Sequence, residues 1–334
     1  MEGSLVAYKV FTNGSVLNAS EVNDNLMNQA VITFTNSTAR ASAITSPVEG
    51  MVTYLADTDT YQFWNGSAWT NLVSASSGNI IINGAFEINQ RGYVSAANLA
   101  SGAYGFDRWK STFTNTTLTF TSAPQGQEIT INSGGSIEQV IERANVPAGT
   151  YTLSWTGTAT GRVYNTGATP PSYAASPITV TLDGSANVEV EFTAAGATRT
   201  LSKVQLQAGS TATAFRRNAN SLEGELAACQ RYFQKSYNQD VAAGAATQIG
   251  ASYLAIGASN SGAKILSTTL HVTMRAVPTV VIYDLAGTSG RVYAGGNGVV
   301  ANQYNVGQQA IAIGNNSGTS SVDLIYNWTA SAEL

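Results

Sequence analysis

Short strand-like segments, separated by turns rich in Gly, Pro and Asn, fill most of this chain and constrain its fold more than any other feature. In Tyr151–Trp155 the odd positions are large and apolar, whereas Thr152 and Ser154 are polar. This period of two places one face of a strand in a core and the other in solvent. Because no helical period separates the segments between 79 and 218, they favour a β-sandwich of jelly-roll type.

One helical segment interrupts the strands. The predicted hinge helix covers 219–237, with Asn220 as its N-cap and Glu223 reaching back to the N–H of the cap. Four apolar residues at spacings of four, three and four form one stripe along it: Leu222, Leu226, Cys229 and Phe233. We expect this stripe to pack between domains or between subunits.

The length of 334 residues is sufficient for two or three domains. A small-residue linker, Ser74–Gly78, separates an N-terminal region (1–75) from the jelly-roll-like domain (79–218). After the hinge helix, the pattern predicts a C-terminal β-sandwich domain (238–334). The predicted fold is therefore mainly β.

The N-terminal region is predicted to contain a short helix that starts at Ser20, followed by a three-stranded meander between Met51 and Leu72 with a turn at Asn65-Gly66. The meander has more aromatic surface than three short strands can enclose. Oligomerisation, or packing on a neighbouring domain, would cover this surface.

Charge and residue counts exclude several classes of function. Charged residues make up 11% of the chain, the net charge is -4, and Arg216-Arg217 is the only adjacent basic pair, so nucleic-acid binding is not expected. No apolar run approaches the roughly 18 residues of a membrane span, and no Sec signal is recognisable. We expect no membrane insertion.

The sequence lacks the residues that the common catalytic and metal sites need. The chain has one histidine, His271, and one cysteine, Cys229, which is too few for a zinc site built on Cys and His, and no Gly-x-Ser-x-Gly elbow accompanies the histidine. Asp57 and Asp59 fall short of the six to eight oxygens that calcium takes. We predict no enzyme activity, no metal and no cofactor.

Glycoside hydrolysis stays open as an alternative, because it needs only two carboxylates that come close in space. Five acidic residues share the jelly-roll-like domain, and nothing in the sequence pairs them: Asp107, Glu138, Glu142, Glu189 and Glu191. The last two lie on the polar face of one predicted strand, where we expect solvated edge charges.

Sugar binding without catalysis has more support in the sequence. Sugar rings stack on aromatic faces and form hydrogen bonds with neighbouring amide, carboxylate and guanidinium groups. The candidate residues are Tyr104, Trp109, Trp155, Tyr164, Tyr173, Tyr293, Tyr304 and Trp328. For Trp109 and Trp155, packing in a core is the favoured alternative.

Several segments together resemble tail fibre and minor structural proteins of tailed bacteriophages. The most specific is ELAACQRYFQ (225–234), preceded by VQLQAGSTATAFRR (204–217). NGAFEINQRG (83–92) and GFDRW (105–109) resemble the opening of the carbohydrate-binding-like sandwich in that family, and MRAVPT (274–279) resembles a later segment. The weaker likenesses are VLNASEVNDNLMNQAVITF (16–34) and NGSAWTNL (65–72), which resemble fibre attachment regions.

The resemblance implies a homotrimeric virion protein of the tail that is assembled in the cytoplasm of a bacterial host. Its N-terminal region would bind other tail, baseplate or virion proteins, and its β domains would bind a host-surface polysaccharide. The resemblance supplies no catalytic residues. We therefore predict a short tail fibre or adhesin, with two alternatives: a tailspike-type hydrolase, or a baseplate, head-fibre or decoration protein that binds no receptor.

Overall fold

A computed structural model describes residues 31–72, 78–255, 264–315 and 323–334, together with Gly14, Val16, Asn18 and Ala19. The chain divides into two compact units, Met1–Ser76 and Ser77–Leu334. Strands predominate in both, as the sequence pattern predicted. The helix predicted from Ser20 lies outside the described residues.

The first unit contains one four-stranded sheet and one short helix. The sheet order is β1-β2-β3-β4, and β1 pairs with β2 in parallel. The bounds are β1 (Ile32–Phe34), α1 (Ser37–Ala43), β2 (Val52–Leu55), β3 (Thr60–Trp64) and β4 (Trp69–Asn71). Asn36 caps α1 by accepting from Ala39 N, and the Asn65 side chain closes the β3–β4 turn by accepting from Ser67 N and Ala68 N. The sequence predicted the meander but neither β1 nor α1.

The second unit begins with a jelly-roll-like β-sandwich. A six-stranded sheet with the order β12-β10-β14-β8-β7-β5 faces a four-stranded sheet with the order β11-β13-β9-β6. Its strands are β5 (Asn98–Leu99), β6 (Lys110–Ser111), β7 (Thr116–Ala123), β8 (Gly126–Ile131), β9 (Ser136–Ile141), β10 (Gly149–Gly157), β11 (Thr160–Asn165), β12 (Ile178–Leu182), β13 (Val188–Thr193) and β14 (Arg199–Ala208). A 3-10 turn, Arg143–Asn145, follows β9.

The core of the sandwich forms from the inward-facing residues of both sheets. Tyr151, Leu153 and Trp155 of β10 are buried, as their alternation predicted, but Thr152, predicted to face solvent, is buried as well. They pack in one cluster with Val190 and Phe192 of the opposite sheet. The outward-facing positions of β9, β11 and β13 are therefore left to form the outer surface of the four-stranded sheet.

The predicted hinge helix is shorter than expected. Helix α2 covers Leu222–Gln230, and its N-cap is Ser221, whose side chain accepts from Gly224 N. The predicted cap, Asn220, instead has a positive φ of 60° and lies outside the helix.

The predicted stripe on this helix is divided between two elements. Leu222 is 48% exposed and Leu226 is half-buried, whereas Cys229 is fully buried beside Ile82 and Ile88. Phe233 is buried, but it belongs to a strand. The prediction of one continuous stripe was wrong, because pairing with a distant strand ends the helix at Gln230.

The C-terminal domain contains two sheets. Its strands are β15 (Phe233–Lys235), β16 (Ser252–Leu254), β17 (Lys264–Thr269), β18 (Thr279–Tyr283), β19 (Arg291–Ala294), β20 (Asn297–Val300), β21 (Asn302–Val306), β22 (Ala310–Asn315) and β23 (Leu324–Ser331). The long strand β23 pairs with β15, β16, β18 and β19, and β17-β22-β21 forms a separate sheet. Tyr326 and Trp328 of β23 lie in its buried core.

The segments that carry the sequence resemblance meet where the sandwich contacts the C-terminal domain. Gln90 donates through its backbone N to Asp107 Oδ2 at 2.6 Å, and through Nε2 to Asp107 Oδ1 at 3.0 Å and to Phe233 O at 2.9 Å. Arg108 is buried with its Cζ atom 3.6 Å from the ring centre of Tyr232. Residues from 83–92, 105–109 and 225–234 thus pack together as one buried joint.

Glu333 completes this joint from the end of β23. It forms ion pairs with Arg108 and with Arg91, the latter at 2.8 Å. Arg275, from the MRAVPT segment, donates to the main-chain oxygens of Ala332 and Glu333 at 2.8 and 3.0 Å. The most specific sequence motifs of the chain therefore have a structural role here, which is to hold the two β domains against each other.

Candidate carbohydrate-binding site

Four charged side chains form one row across the outer surface of the four-stranded sheet. Arg162 of β11 is the cross-strand partner of Glu191 of β13, which is the partner of Glu138 of β9, which in turn is the partner of Lys110 of β6. Cross-strand partners project from the same face of a sheet. From β11 to β6 the row therefore consists of a cation, two carboxylates and a second cation.

Glu191 is the most enclosed member of the row, with 3% of its surface exposed. Its Oε2 accepts from Arg162 Nε at 2.7 Å, and its Oε1 accepts from Ser136 Oγ at 2.9 Å and from Thr112 Oγ1 at 3.2 Å. The sequence predicted an edge charge here, but β13 lies inside its sheet between β11 and β9, so that prediction was wrong. A buried carboxylate needs such partners, because removal from water is costly.

Glu138 and Lys110 form the other end of the row. Lys110 Nζ lies 3.1 Å from Glu138 Oε1 and donates to Leu334 O at 3.1 Å. Burial raises the pKa of Glu138, and the Glu189 and Glu191 carboxylates raise it further, while Lys110 lowers it. The three carboxylates thus lie close enough to affect one another.

A second row adds an aromatic side chain and a third carboxylate. Tyr164 of β11 is the cross-strand partner of Glu189 of β13. Burial raises the pKa of Tyr164, and the neighbouring Glu189 carboxylate raises it further. Both side chains lie two residues along their strands from Arg162 and Glu191, so they project from the same face.

Tyr173 reaches this face from the loop that follows β11. Gly161 and Ala174 exchange two backbone hydrogen bonds of 2.9 Å, and Arg162 Nη1 donates to Pro171 O at 3.4 Å. These contacts place the half-buried ring of Tyr173 with its centre 4.2 Å from Arg162 Cζ. Burial, followed by the Glu191 carboxylate, raises the pKa of Tyr173.

We call this surface the glutamate face: Lys110, Glu138, Arg162, Tyr164, Tyr173, Glu189 and Glu191. It combines the buried ring of Tyr164 and the half-buried ring of Tyr173 with hydrogen-bond acceptors and donors that are already held by partners. Carboxylates and guanidinium groups bind hydroxyls through charge-assisted hydrogen bonds, and tyrosine rings contact C–H surfaces. This chemistry suits a sugar.

The structure brings two of the predicted sugar-binding residues together, and a third lies nearby. Tyr164 and Tyr173 both contact Arg162. Tyr104 forms an isolated bridge with Lys110, at the far end of the row, and its hydroxyl donates to Leu334 O at 3.1 Å. Its ring is covered by Arg91, with Cζ 4.6 Å from the ring centre, so it belongs to the border of the face.

The three predicted tryptophans lie in the two cores instead. Trp109 is fully buried and donates to Asn83 O at 2.9 Å. Trp155 packs against Phe192 at 5.0 Å between ring centres, and Trp328 donates to Ser252 Oγ at 3.2 Å. Trp109 and Trp155 therefore occupy core positions, the alternative that the sequence favoured for them, and Trp328 is buried as well.

Tyr293 and Tyr304 lie in the C-terminal domain, apart from the glutamate face. Tyr293 of β19 is half-buried, and Tyr304 of β21 is 36% exposed beside Gly314. The described part of this domain contains an ion pair between Arg291 and Asp284.

Sequence reasoning missed the charged row and one exposed aromatic residue. Phe113 is 56% exposed and directly follows Thr112, which donates to Glu191. The only advance signal was the alternation of Glu189 and Glu191 on one strand face. Their pairing with Glu138 and Arg162 depends on strand register, which the sequence pattern does not fix.

A separate cleft lies elsewhere on the second unit. It has a volume of about 590 Å³ and lies between α2 and the 87–93 segment, with Ile88, Tyr93, Leu222 and Leu226 among its lining residues. Its lining also includes the polar residues Glu87, Asn89, Glu223, Gln239 and Asp240, but none of the tyrosines predicted to bind sugar lines it. We therefore assign the candidate site to the sheet surface.

Within the described ranges, no group of three or more His, Cys, Asp or Glu side chains could hold a metal ion. No helix in the same ranges is long and apolar enough to cross a membrane.

Comparisons with known proteins give little guidance. No protein-family model matches the sequence, and no curated protein is significantly similar to it. Among solved structures, the chain is similar to a carbohydrate-binding module of lichenase 5A from Cellvibrio mixtus, in complex with cellotriose, over 35% of this chain and 100% of that one, with 14% identity and a TM-score of 0.25.

Two further solved structures are similar at the same low level. Discoidin II of Dictyostelium discoideum matches over 77% of this chain and 94% of its own, with 11% identity and a TM-score of 0.18. A cycloisomaltooligosaccharide glucanotransferase from Paenibacillus sp. matches over 72% of this chain and 47% of its own, with 10% identity and a TM-score of 0.22. TM-scores this low support no conclusion about fold or function.

Proposed function

We propose that this protein binds a glycan through the glutamate face and does not turn it over. The observation that supports this most strongly is the convergence of Tyr164 and Tyr173 on Arg162, beside the Glu191 and Glu138 carboxylates. A sugar laid across this surface would contact a ring and several preordered polar groups at once. Preordering lowers the entropy cost of binding.

The more specific proposal is a bacteriophage short tail fibre or adhesin that works as a homotrimer. It rests on the sequence resemblance of the segments 83–92, 105–109, 204–217, 225–234 and 274–279. In this proposal residues 1–75 attach to other tail, baseplate or virion proteins, and the ligand is a host-surface polysaccharide. Three weak sites on one trimer would gain affinity through effective concentration.

Glycan binding can be tested with an array of bacterial surface oligosaccharides and single-residue variants. We expect Tyr173→Ala to weaken binding by about tenfold, since loss of a ring contact costs roughly 1 to 2 kcal/mol. Tyr304→Ala, in the C-terminal domain, is the matched control and should bind as the original protein does. Loss of binding in the Tyr304 variant alone would move the site to the C-terminal domain, and no binding by the original protein would refute the proposal.

One observation favours a second candidate, a tailspike-type hydrolase. The sheet brings Glu138, Glu189 and Glu191 to one face, although nothing in the sequence pairs them. A glycosidase needs two such carboxylates. Glu191, however, is held by Arg162, Ser136 and Thr112, which leaves it poorly placed as a nucleophile. Shortening of host polysaccharide chains during incubation, abolished in Glu138→Gln, would favour the hydrolase.

The tail location can be tested separately from sugar binding. A labelled protein that electron microscopy locates on the tail tip, together with a trimer mass by light scattering, is the expected result. A position on the capsid, without cell binding, would favour a decoration protein instead.

A further inference from the structure

The charges of the glutamate face do not balance. It has three carboxylates, Glu138, Glu189 and Glu191, and two cations, Lys110 and Arg162. Arg162 pairs with Glu191, and Lys110 pairs with Glu138. Among the described residues, no lysine or arginine forms an ion pair with Glu189, so the face carries one unneutralised negative charge.

Glu189 is also accessible to a ligand. It is half-buried, whereas only 4% of the Glu191 side chain is exposed. Its cross-strand neighbours are Tyr164 on one side and Val140 on the other, and neither carries a positive charge. A ligand that lies along the second row would therefore meet this carboxylate beside the tyrosine ring.

A carboxylate in this position discriminates between classes of glycan. Like charges that approach within a few ångströms of a partly buried site repel strongly, because the local dielectric is well below that of water. Hydroxyl and ammonium groups, by contrast, donate hydrogen bonds to a carboxylate. Discrimination by an introduced repulsion is a common route to specificity.

We propose that Glu189 makes the glutamate face selective for neutral and amine-bearing sugars and against sugars that carry carboxylate or phosphate groups. This inference rests on the proposed glycan-binding function. Glu189 sets the preference, while Arg162 and Lys110 pair with Glu191 and Glu138.

Three oligosaccharides with the same β-1,4 linkage test this selectivity: chitohexaose, which is neutral, its deacetylated form, which is cationic, and a hexamer of mannuronate, which is acidic. Calorimetry measures the affinity of the protein for each of them. On the glycan array, binding is compared between the neutral, the amine-bearing and the acidic members. We expect acidic members to bind at least about tenfold more weakly, a difference of about 1.4 kcal/mol. In Glu189→Gln this gap should close to within about twofold.

Glu128→Gln provides the matched control. Glu128 lies on β8, in the opposite sheet, and its removal changes the net charge of the protein by the same amount. The gap between acidic and neutral ligands should persist in this variant. Equal effects of the two substitutions would show a general charge effect and would overturn the role of Glu189.

The possible outcomes separate the two proposals. Binding of acidic glycans as tightly as neutral ones, unchanged in Glu189→Gln, overturns the selectivity but leaves glycan binding intact. Absence of binding to every class refutes the proposed function itself, and the selectivity fails with it. Raising the salt concentration should narrow the gap in the original protein, because screening weakens charge repulsion.

Discussion

Arg162 and Glu191 are direct cross-strand partners, and Arg162 Nε donates to Glu191 Oε2 at 2.7 Å. Burial alone would lower the pKa of Arg162, but the hydrogen bond and charge of Glu191 raise it. The pair therefore gives a buried carboxylate its counter-charge, and it also places the guanidinium beside the rings of Tyr164 and Tyr173. Stability and the shape of the candidate site depend on the same contact.

We expect Arg162→Gln to lower the free energy of unfolding by about 3 kcal/mol, since it leaves a buried carboxylate without its counter-charge. Urea denaturation followed by fluorescence measures this. Arg143→Gln is the control, because Arg143 is exposed and its guanidinium donates a hydrogen bond to Ser185 O. This substitution should change the free energy of unfolding by no more than about 0.5 kcal/mol. The pair is not structurally important if both variants unfold at the same urea concentration.

Gly84 allows no side chain, because the backbone of a distant strand lies against it. A Cβ atom there would lie 2.1 Å from Val204 O, and Val204 N donates to Gly84 O at 2.8 Å. We expect Gly84→Ala to cost about 3 kcal/mol, at the upper end of overpacking effects. Thermal unfolding measures this cost as a lower Tm.

Gly149→Ala is the matched control for that substitution. The nearest atom to a Cβ at Gly149 is Tyr151 Cε2, at 3.8 Å, which is an ordinary contact distance. This variant should unfold at the original temperature or slightly above it, since alanine restricts the unfolded chain. A tolerated Gly84→Ala would mean that the segment 83–92 is not held against β14 as described.

The strands were predictable where a local pattern is sufficient. The alternating segment Tyr151–Trp155 lies within β10, and the predicted turn at Asn65-Gly66 joins β3 to β4. Phe233 shows the limit of this approach. Its spacing from Cys229 fits a helix, but its backbone pairs with Ser331 of β23, and no local pattern reveals a partner so far along the chain.

The candidate site was harder to predict than the strands, because it depends on the register between strands that are distant in sequence. Tyr164 and Tyr173 were identified as aromatic residues with polar neighbours, and they are close together in the structure. The row from Arg162 to Lys110 was not foreseen, because its members come from four strands whose pairing order is not their sequence order. The burial of Trp328 likewise results from packing between sheets, which composition does not reveal.

Cys229 should be chemically inert in the folded protein. It is fully buried beside Ile82, Ile88 and Tyr232, and burial raises the pKa of its thiol well above the ordinary value. The thiolate is the reactive form. We expect no reaction with a thiol reagent such as DTNB over several minutes at pH 8, and complete reaction after unfolding in guanidinium. Rapid labelling without denaturant would show that α2 separates readily from the sandwich.

Asp107 should make the stability of the joint depend on pH. It is fully buried, and burial raises its pKa to about 6 from the usual 3.8, against the opposing effects of Arg91 and of the hydrogen bonds from Gln90. The folded state therefore binds the proton more tightly than the unfolded chain does. Stability from this group is fully present below about pH 4 and is lost as the pH rises through about 6.

Asp107→Asn removes this titration while keeping the shape of the side chain. A shift of about two pKa units corresponds to about 3 kcal/mol. The stability of the original protein, measured relative to the variant by urea unfolding, should therefore fall by most of this amount between pH 4 and pH 7. Glu138 and Glu225, whose pKa values burial also raises, are present in both proteins, so their contributions cancel. A difference that stays constant with pH would mean that Gln90 and Arg91 fully offset the burial of the carboxylate.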